Sequence, residues 1–329
     1  MKAVYISEFG GPEKLEIREV PDPPKPEGNQ VLVRVRAAGL NRADLMQRRG
    51  SYPPPPGYSP NIPGMEFAGE VAAAGADAKR FRPGDGVFGI TAGEAQAEQV
   101  VIDESLLAAV PANIELTQAA ALPEVFITAH DALFTQADLK AGETLLIHAA
   151  GSGVGLAALQ LAKARGCRVI GTSRTREKLE RCSKFGLDLP IVVDKAPAKF
   201  ASEVLDNTDG HGADVILDLV GGAYFAENVA GLASRGRLML VGLTAGRTAE
   251  IDLGTLLYKR ARVIGTMLRS RSVEEKADAV RRFETDVVPL IASSAIAANV
   301  DRIFALNDVR QAHEYMESNE SFGKIVLEL

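Results

Sequence analysis

The chain has 329 residues, 46% hydrophobic and 24% charged, with a formal charge of 37 − 43 = −6. That length allows two domains with sizeable cores. The acidic balance argues against nucleic-acid binding driven by bulk charge, and no apolar run approaches the roughly 20 residues of a bilayer span.

Residues 1–122 are rich in glycine and proline and carry short strand patterns. These are Lys2–Ile6, Leu15–Glu19, Val31–Ala37, Glu66–Ala73, Gly86–Gly89 and Gln96–Val101. Turn residues separate them, which predicts an irregular β-barrel. Met1-Lys2-Ala3-Val4-Tyr5 enters the first strand with no signal-peptide pattern, and Cys167 and Cys182 are the only cysteines. Reduced structural thiols in a cytoplasmic protein are the expectation. Asn41–Arg49 reads as a short helix leaving a strand. The four prolines of Ser51–Tyr58 demand an extended loop. That loop is either a stiff connector or a rim that sets Tyr52 over a cleft.

Residues 142–163 read as strand, small-residue turn and helix. Thr144–His148 suits a buried parallel strand. Ala149–Gly155 holds nothing larger than valine, and Gly166 stops the helix that follows. In the dinucleotide fingerprint of three spaced glycines, the positions here hold Ala150, Ser152 and Gly155, with Gly151 and Gly153 beside them. Such a turn lets backbone N–H groups meet a pyrophosphate at a helix N-terminus.

The next strand, Cys167–Thr172, ends in Ser173-Arg174, with Lys178 one turn on. An NAD site carries a carboxylate near this point. Two cations and a hydroxyl suit a 2′-phosphate instead, so NADPH is favoured over NADH. The alternative is that Arg174 and Lys178 form a solvated helix start. Helices at 175–185, 199–207 and 224–232 then alternate with strands at 191–193, 215–220, 237–241 and 262–266. This alternation predicts a right-handed, doubly wound parallel sheet. Val220-Gly221-Gly222 and Val241-Gly242-Leu243 should line the dinucleotide at the strand ends. The tail is read as an amphipathic helix at 274–291, a strand at 300–304, a helix at 307–318 and a strand at 324–329. Arg269, Arg271, Arg281 and Arg282 read as solvated helix faces.

The chain resembles the medium-chain dehydrogenase/reductases, specifically the NADPH:quinone oxidoreductase (zeta-crystallin-like) group. The residues that carry the resemblance run nearly end to end. They are Gly10-Gly11-Pro12-Glu13, Asn41-Arg42-Ala43-Asp44, Ile62 to Val71, and Gly153-Val154-Gly155 with Gln160 and Lys163. Ser152, Asn41–Arg48 and Gly323–Glu328 resemble the tumour-suppressor-inducible quinone oxidoreductase branch. The resemblance implies an α/β architecture in which a GroES-like β-barrel domain, 1–122 with 268–329, accompanies a Rossmann domain, 123–267. It implies a homodimer formed through the nucleotide domains. It also implies cofactor contacts from Asn41, from Thr128 on a helix bridging the domains at 123–134, and from Val154, Leu268 and Asn319.

The zinc alcohol dehydrogenases of this superfamily have Cys and His where this chain has Asn41 and Met65, and neither of the latter is a good zinc ligand. No metal is expected, and His130, His148, His211 and His313 read as structural. Many relatives carry an Asn-Tyr pair near Val193-Asp194, the tyrosine contacting the adenosine phosphate; here Asp194 and Lys195 stand there.

The function implied is hydride transfer from NADPH to a quinone or similar electron-poor acceptor in a cleft between the domains. Asn41, Tyr52 and Ser152 are the candidate catalytic donors for the developing oxyanion, and Ser152 reads equally as a pyrophosphate-turn residue. The alternatives are an enone or alkenal C=C reductase, in which Tyr52 protonates carbon, and a low-turnover NADPH-binding protein.

Overall fold

Strand periodicity sets up the first elements. In the computed structural model the described residues are 1–194 and 196–329; Lys195 lies outside them. Strand β1 (Lys2–Ile6) pairs antiparallel with β2 (Leu15–Glu19). In β3 (Gln30–Leu40), Val31, Val33 and Val35 are buried while Arg34 and Arg36 are exposed, the two-residue period of a strand with one wet face. From Ala37 onward β3 is buried on both faces. Then come α1 (Arg42–Arg48), β4 (Glu66–Ala74), β5 (Gly86–Ile90), β6 (Gln99–Asp103), β7 (Leu107–Ala109), α2 (Leu116–Ala119) and α3 (Pro123–His130).

The alternating region follows: β8 (Thr144–Ile147), α4 (Gly153–Ala164), β9 (Arg168–Ser173), α5 (Arg176–Cys182), β10 (Leu189–Val192), α6 (Ala201–Asp206) and β11 (Ala213–Asp218). It continues with α7 (Phe225–Gly231), β12 (Leu232–Leu240), α8 (Leu253–Lys259) and β13 (Arg262–Gly265). The tail holds α9 (Val273–Asp286), α10 (Val288–Ala292), β14 (Val300–Ala305), α11 (Val309–Ser318) and β15 (Lys324–Glu328).

The chain divides into two compact units. One is Met1–Ile127 with Leu268–Leu329, the other Thr128–Met267. The first is built on a sheet ordered β14-β15-β3-β4-β5-β7, with β6 also paired to β3. The tail thus completes the N-terminal sheet: β15 runs antiparallel to β3, Leu327 opposite Ala38. Val31, Val33, Phe67, Val71, Val87 and Leu107 fill one core of this unit, and Leu15, Leu40, Leu45, Val309 and Met316 another.

The second unit is a six-stranded parallel sheet ordered β10-β9-β8-β11-β12-β13. Successive strands step outward from β8 on one side and from β11 on the other. The β8/β11 junction is therefore the topological switch point, where a ligand crevice is expected beyond the strand ends. This is the doubly wound α/β sheet read from the alternation, accompanied by a separate β unit.

Three details differ from the sequence reading. The single helix expected at 274–291 is two, α9 and α10, because Pro289 lacks the N–H a continuous helix would use. The strand expected from Gln96 begins at Gln99. Helix α8 went unread, since Leu253, Leu257 and Tyr258 are exposed and no apolar stripe announces it.

Candidate active site

In the second unit, β8 is wholly buried and delivers the chain to a tight turn at the switch point. Ala149 takes a left-handed conformation, φ 51°. Ser152 is the N-cap of α4, its Oγ accepting the Gly155 N–H at 3.1 Å. A Cβ on Gly155 would stand 2.6 Å from the Ala149 carbonyl oxygen, so only glycine lets the helix pack this close. The N–H groups of Gly153 and Val154 donate to no described residue, and both residues are partly exposed. Two free donors at the positive end of a twelve-residue helix form an anion cradle.

The other expected nucleotide contacts of this unit lie at the ends of neighbouring strands. Ser173 ends β9 and is buried, Arg174 beyond it is exposed, and Lys178 lies on α5, partly exposed. Asp194, in the stretch where relatives carry tyrosine, is exposed. The turns after β11 and β12 are laced together: Ala245 N–H donates to Val220 O and Gly222 N–H to Gly246 O. Gly221 has φ 87°, and a Cβ on Gly242 would meet the Leu219 carbonyl oxygen at 2.7 Å. Val220, Gly221, Val241, Gly242 and half-exposed Leu243 are thereby gathered at two adjacent strand ends. Thr128 lies on α3, partly exposed.

A buried chain of hydrogen bonds ties these strand ends together, and sequence reasoning missed it. Asp218 accepts from the N–H groups of Val220 and Gly221 and from Asn228 Nδ2. A carboxylate only accepts, so Asn228 turns its Oδ1 to His148 Nε2, 2.6 Å away. His148 must then carry its proton on Nε2 and accept at Nδ1 from the Thr172 hydroxyl, at 2.8 Å. Burial pushes the His148 pKa down to about 4, which keeps the imidazole neutral and the chain in this sense. The Thr172 carbonyl in turn accepts the Ala150 N–H. His148 in an apolar strand, followed by three small residues, was the only sequence signal.

In the first unit, Asn41 is the N-cap of α1, in a reciprocal capping box with Asp44. Its amide is fully committed. Nδ2 donates to Glu66 Oε1 at 2.9 Å and Oδ1 accepts from Lys324 Nζ at 2.8 Å. Lys324 also donates to Glu66 Oε1 at 2.5 Å and to Leu40 O at 2.7 Å. Glu66 Oε2 accepts the backbone N–H of Glu124 at the start of α3. Glu66 and Lys324 are almost fully buried, a pair that stands only because each partner is also hydrogen-bonded. Each was legible as a charge inside an apolar strand, Glu66-Phe67-Ala68 and Lys324-Ile325-Val326.

Tyr52 is placed by Arg269, which the sequence reading assigned to a solvated face. Arg269 is instead 5% exposed. It donates to Tyr52 O at 3.0 Å, Ala92 O at 2.7 Å and Gln47 Oε1, and its guanidinium lies 5.0 Å from the Tyr52 ring centroid. The proline loop is thus a fastened rim, and the Tyr52 hydroxyl bonds to no described residue. Asp44 accepts from Asn41 and Gly64 N–H groups, and burial raises its pKa to about 6. Leu268 is buried, and Asn319 caps α11 with φ 60° and accepts from Arg42.

Among the described residues no group of three or more His, Cys, Asp or Glu could hold a metal ion. Around Asn41 the donor set does not fit zinc. The asparagine amide is spent on Glu66, Met65 is a buried thioether, and the Lys324 ammonium already supplies the cation.

Two family descriptions match the chain: "Alcohol dehydrogenase GroES-like domain" over residues 27–112 and "Zinc-binding dehydrogenase" over 153–285. A quinone oxidoreductase of Pseudomonas aeruginosa is 34% identical over 327 residues, covering 99% of each chain. One from Homo sapiens is 31% identical over 332 residues, covering 99% of this chain and 97% of the relative. The structure of Escherichia coli quinone oxidoreductase complexed with NADPH is similar with a TM-score of 0.89 and 31% identity over the whole of both chains. Fold, turn and full-length likeness agree that this chain is a medium-chain dehydrogenase/reductase. Within that class it belongs to the quinone oxidoreductase family.

Proposed function

We propose that this chain is an NADPH-dependent quinone oxidoreductase, an enzyme that needs no zinc. The observation that carries the reading is the turn at the β8/β11 switch point, with its two unsatisfied N–H donors and its glycine-only approach. The Gly151–Gly155 turn would hold the pyrophosphate, and the Val220–Gly221 and Val241–Leu243 turns the dinucleotide beyond it. Ser173, Arg174 and Lys178 would receive the 2′-phosphate through charge-assisted hydrogen bonds. Thr128, Leu268, Asn319 and Asn41 complete the proposed contacts. When bound, NADPH supplies hydride to the acceptor. Tyr52 offers a free hydroxyl to the oxyanion that develops there. Asn41 donates to Glu66, so we give it the task of shaping the site. Ser152 Oγ accepts from Gly155, so its part is to hold the phosphate turn.

The acceptor is a small quinone and nucleic acid is not a partner, in keeping with the charge of −6. No helix of the described residues is long and apolar enough to cross a membrane. We propose a homodimer through the 128–267 unit. Its edge strand β13 and helix α8 expose Leu253, Leu257, Tyr258 and Val263, an apolar patch that a second copy would cover. We also place the protein in the cytoplasm, which suits the two buried free thiols, Cys167 and Cys182.

The test is NADPH oxidation by metal-chelated protein with ortho- and para-quinones beside a panel of enones. Fast quinone turnover that survives chelation is expected. Faster enone turnover would make the protein an alkene reductase, and cofactor binding without turnover a binding protein.

A further inference from the structure

We propose that Asp218, Asn228, His148 and Thr172 are positioning residues of the cofactor site. Their buried hydrogen-bond chain couples the ends of β8 and β9 to the ends of β11 and β12, so that one dinucleotide meets both. The inference rests on the NADPH site proposed for this unit.

The chain begins where the sheet stops. The last ladder pairs of β8 are Ile147 with Leu217 on β11 and Ile147 with Gly171 on β9. His148, Asp218 and Thr172 are the next residues of those three strands. One more backbone bond, from His148 N–H to Leu217 O, closes the β8/β11 ladder, and side chains take over from there. Asp218 is the hub. Its Oδ1 accepts from the Val220 and Gly221 N–H groups at 2.7 and 2.9 Å. Its backbone carbonyl accepts from the Val241 and Gly242 N–H groups at 2.9 and 3.1 Å. One residue thus fixes both turns that would line the dinucleotide. Its Oδ2 accepts from Asn228 Nδ2 at 2.9 Å, and through Asn228 it reaches His148 and Thr172. The Thr172 carbonyl accepts the Ala150 N–H at 3.0 Å, at the entry to the phosphate turn.

Stability alone does not call for this chain. Its four side chains are at most 1% exposed, and the imidazole lies against the rings of Phe200 and Tyr224, with centroids 4.8 and 4.9 Å away. Apolar side chains in such a place often give a protein of equal stability. A fully satisfied polar chain adds a single fixed geometry, which is what the placement of a hydride donor needs. The chain also has a direction. A carboxylate only accepts, so the Thr172 O–H, the His148 Nε2–H and the Asn228 N–H all point toward Asp218. Asp218→Asn presents an N–H to Asn228. The Asn228 amide must then turn over and the His148 proton must move to Nδ1. Adding Asn228→Asp to that variant restores a partner for every atom and returns the proton to Nε2. Asn228→Asp by itself sets two carboxylates face to face and breaks the chain at Asp218.

The experiment has two readouts. The first is the 15N NMR spectrum of the His148 imidazole in the cofactor-free protein. It should show the Nε2–H tautomer in the wild type, Nδ1–H in Asp218→Asn and Nε2–H again in the double variant. The second is affinity for NADPH beside adenosine 2′,5′-bisphosphate, a fragment that reaches only the β8 and β9 ends. Asn228→Asp should weaken NADPH about tenfold and the fragment less than about threefold, and the double variant should recover the NADPH loss. Thr172→Val keeps the shape and removes one O–H, so it tests the chain even where Asn228→Asp does not fold. It should weaken NADPH about threefold, and Thr172→Ser should restore it. An Nδ1–H tautomer in the wild type overturns the inference. So do variants that melt earlier with NADPH affinity unchanged, and so does an equal loss for NADPH and the fragment in Asn228→Asp. A wild-type protein that binds no NADPH overturns the proposed function instead, whatever the tautomer.

Discussion

Charged side chains in the apolar interior organise the first unit. Lys324 and Arg269 are both almost completely buried, and each takes three acceptors. Desolvating such cations is costly, and that cost is met because each nitrogen finds an acceptor in fixed geometry. The result is placement: Lys324 holds Glu66 and Asn41, and Arg269 holds the Tyr52 loop. With the Tyr52 backbone fastened independently of its hydroxyl, Tyr52→Phe should leave the loop in place. Turnover should then drop about 10²-fold with no change in NADPH affinity. Steady-state rates beside a fluorescence titration check this, and full activity would remove Tyr52 from the chemistry. The sequence marked Tyr52 through its prolines and Asn41 through the family resemblance. It did not mark Arg269, since nothing in Leu268-Arg269-Ser270 distinguishes a buried arginine from a solvated one.

The nucleotide-binding element reads from local sequence because its physics is local. A buried strand, small residues at the turn, a serine cap and a glycine with no room for Cβ all lie within twelve residues of chain, 144–155. In the proposed function its cofactor preference is set one strand over, at the end of β9. Changing Arg174 and Lys178 together to Ala should weaken NADPH binding at least tenfold while NADH binding changes little, because only the 2′-phosphate loses its partners. Equal losses for both, measured by titration, would return the two cations to the role of a solvated helix start. The His148–Asn228–Asp218 chain was not legible, since its members are 80 and 10 residues apart and meet only when parallel strands align.

For the whole molecule, the exposed apolar side chains of the second unit matter most. Leu253 is 69% exposed, Leu257 80% and Tyr258 85%, on the helix beside an open sheet edge. An isolated chain would leave this surface wet, and the proposed dimer buries it. Leu257→Asp with Tyr258→Lys should convert the protein to a monomer in sedimentation, with the parallel sheet intact by circular dichroism. A wild-type protein that sediments as a monomer would remove the dimer.

What the sequence by itself determined is the set of periodic and local features. These are the alternating strands of the first 122 residues, the β/α alternation that makes a doubly wound sheet, the phosphate turn, and the absence of good zinc ligands at Asn41 and Met65. Each depends on neighbours in the chain, where side-chain period and backbone conformation are set. The tertiary structure alone decided what sequence separation hides. It brought Lys324 to Glu66 across 258 residues and Arg269 to Gln47 across 222, and it set the Glu124 backbone on the Glu66 carboxylate across 58. Burial is a property of the packed molecule, and with it comes the cost that keeps charges such as Lys324 and Arg269 inside only where acceptors surround them.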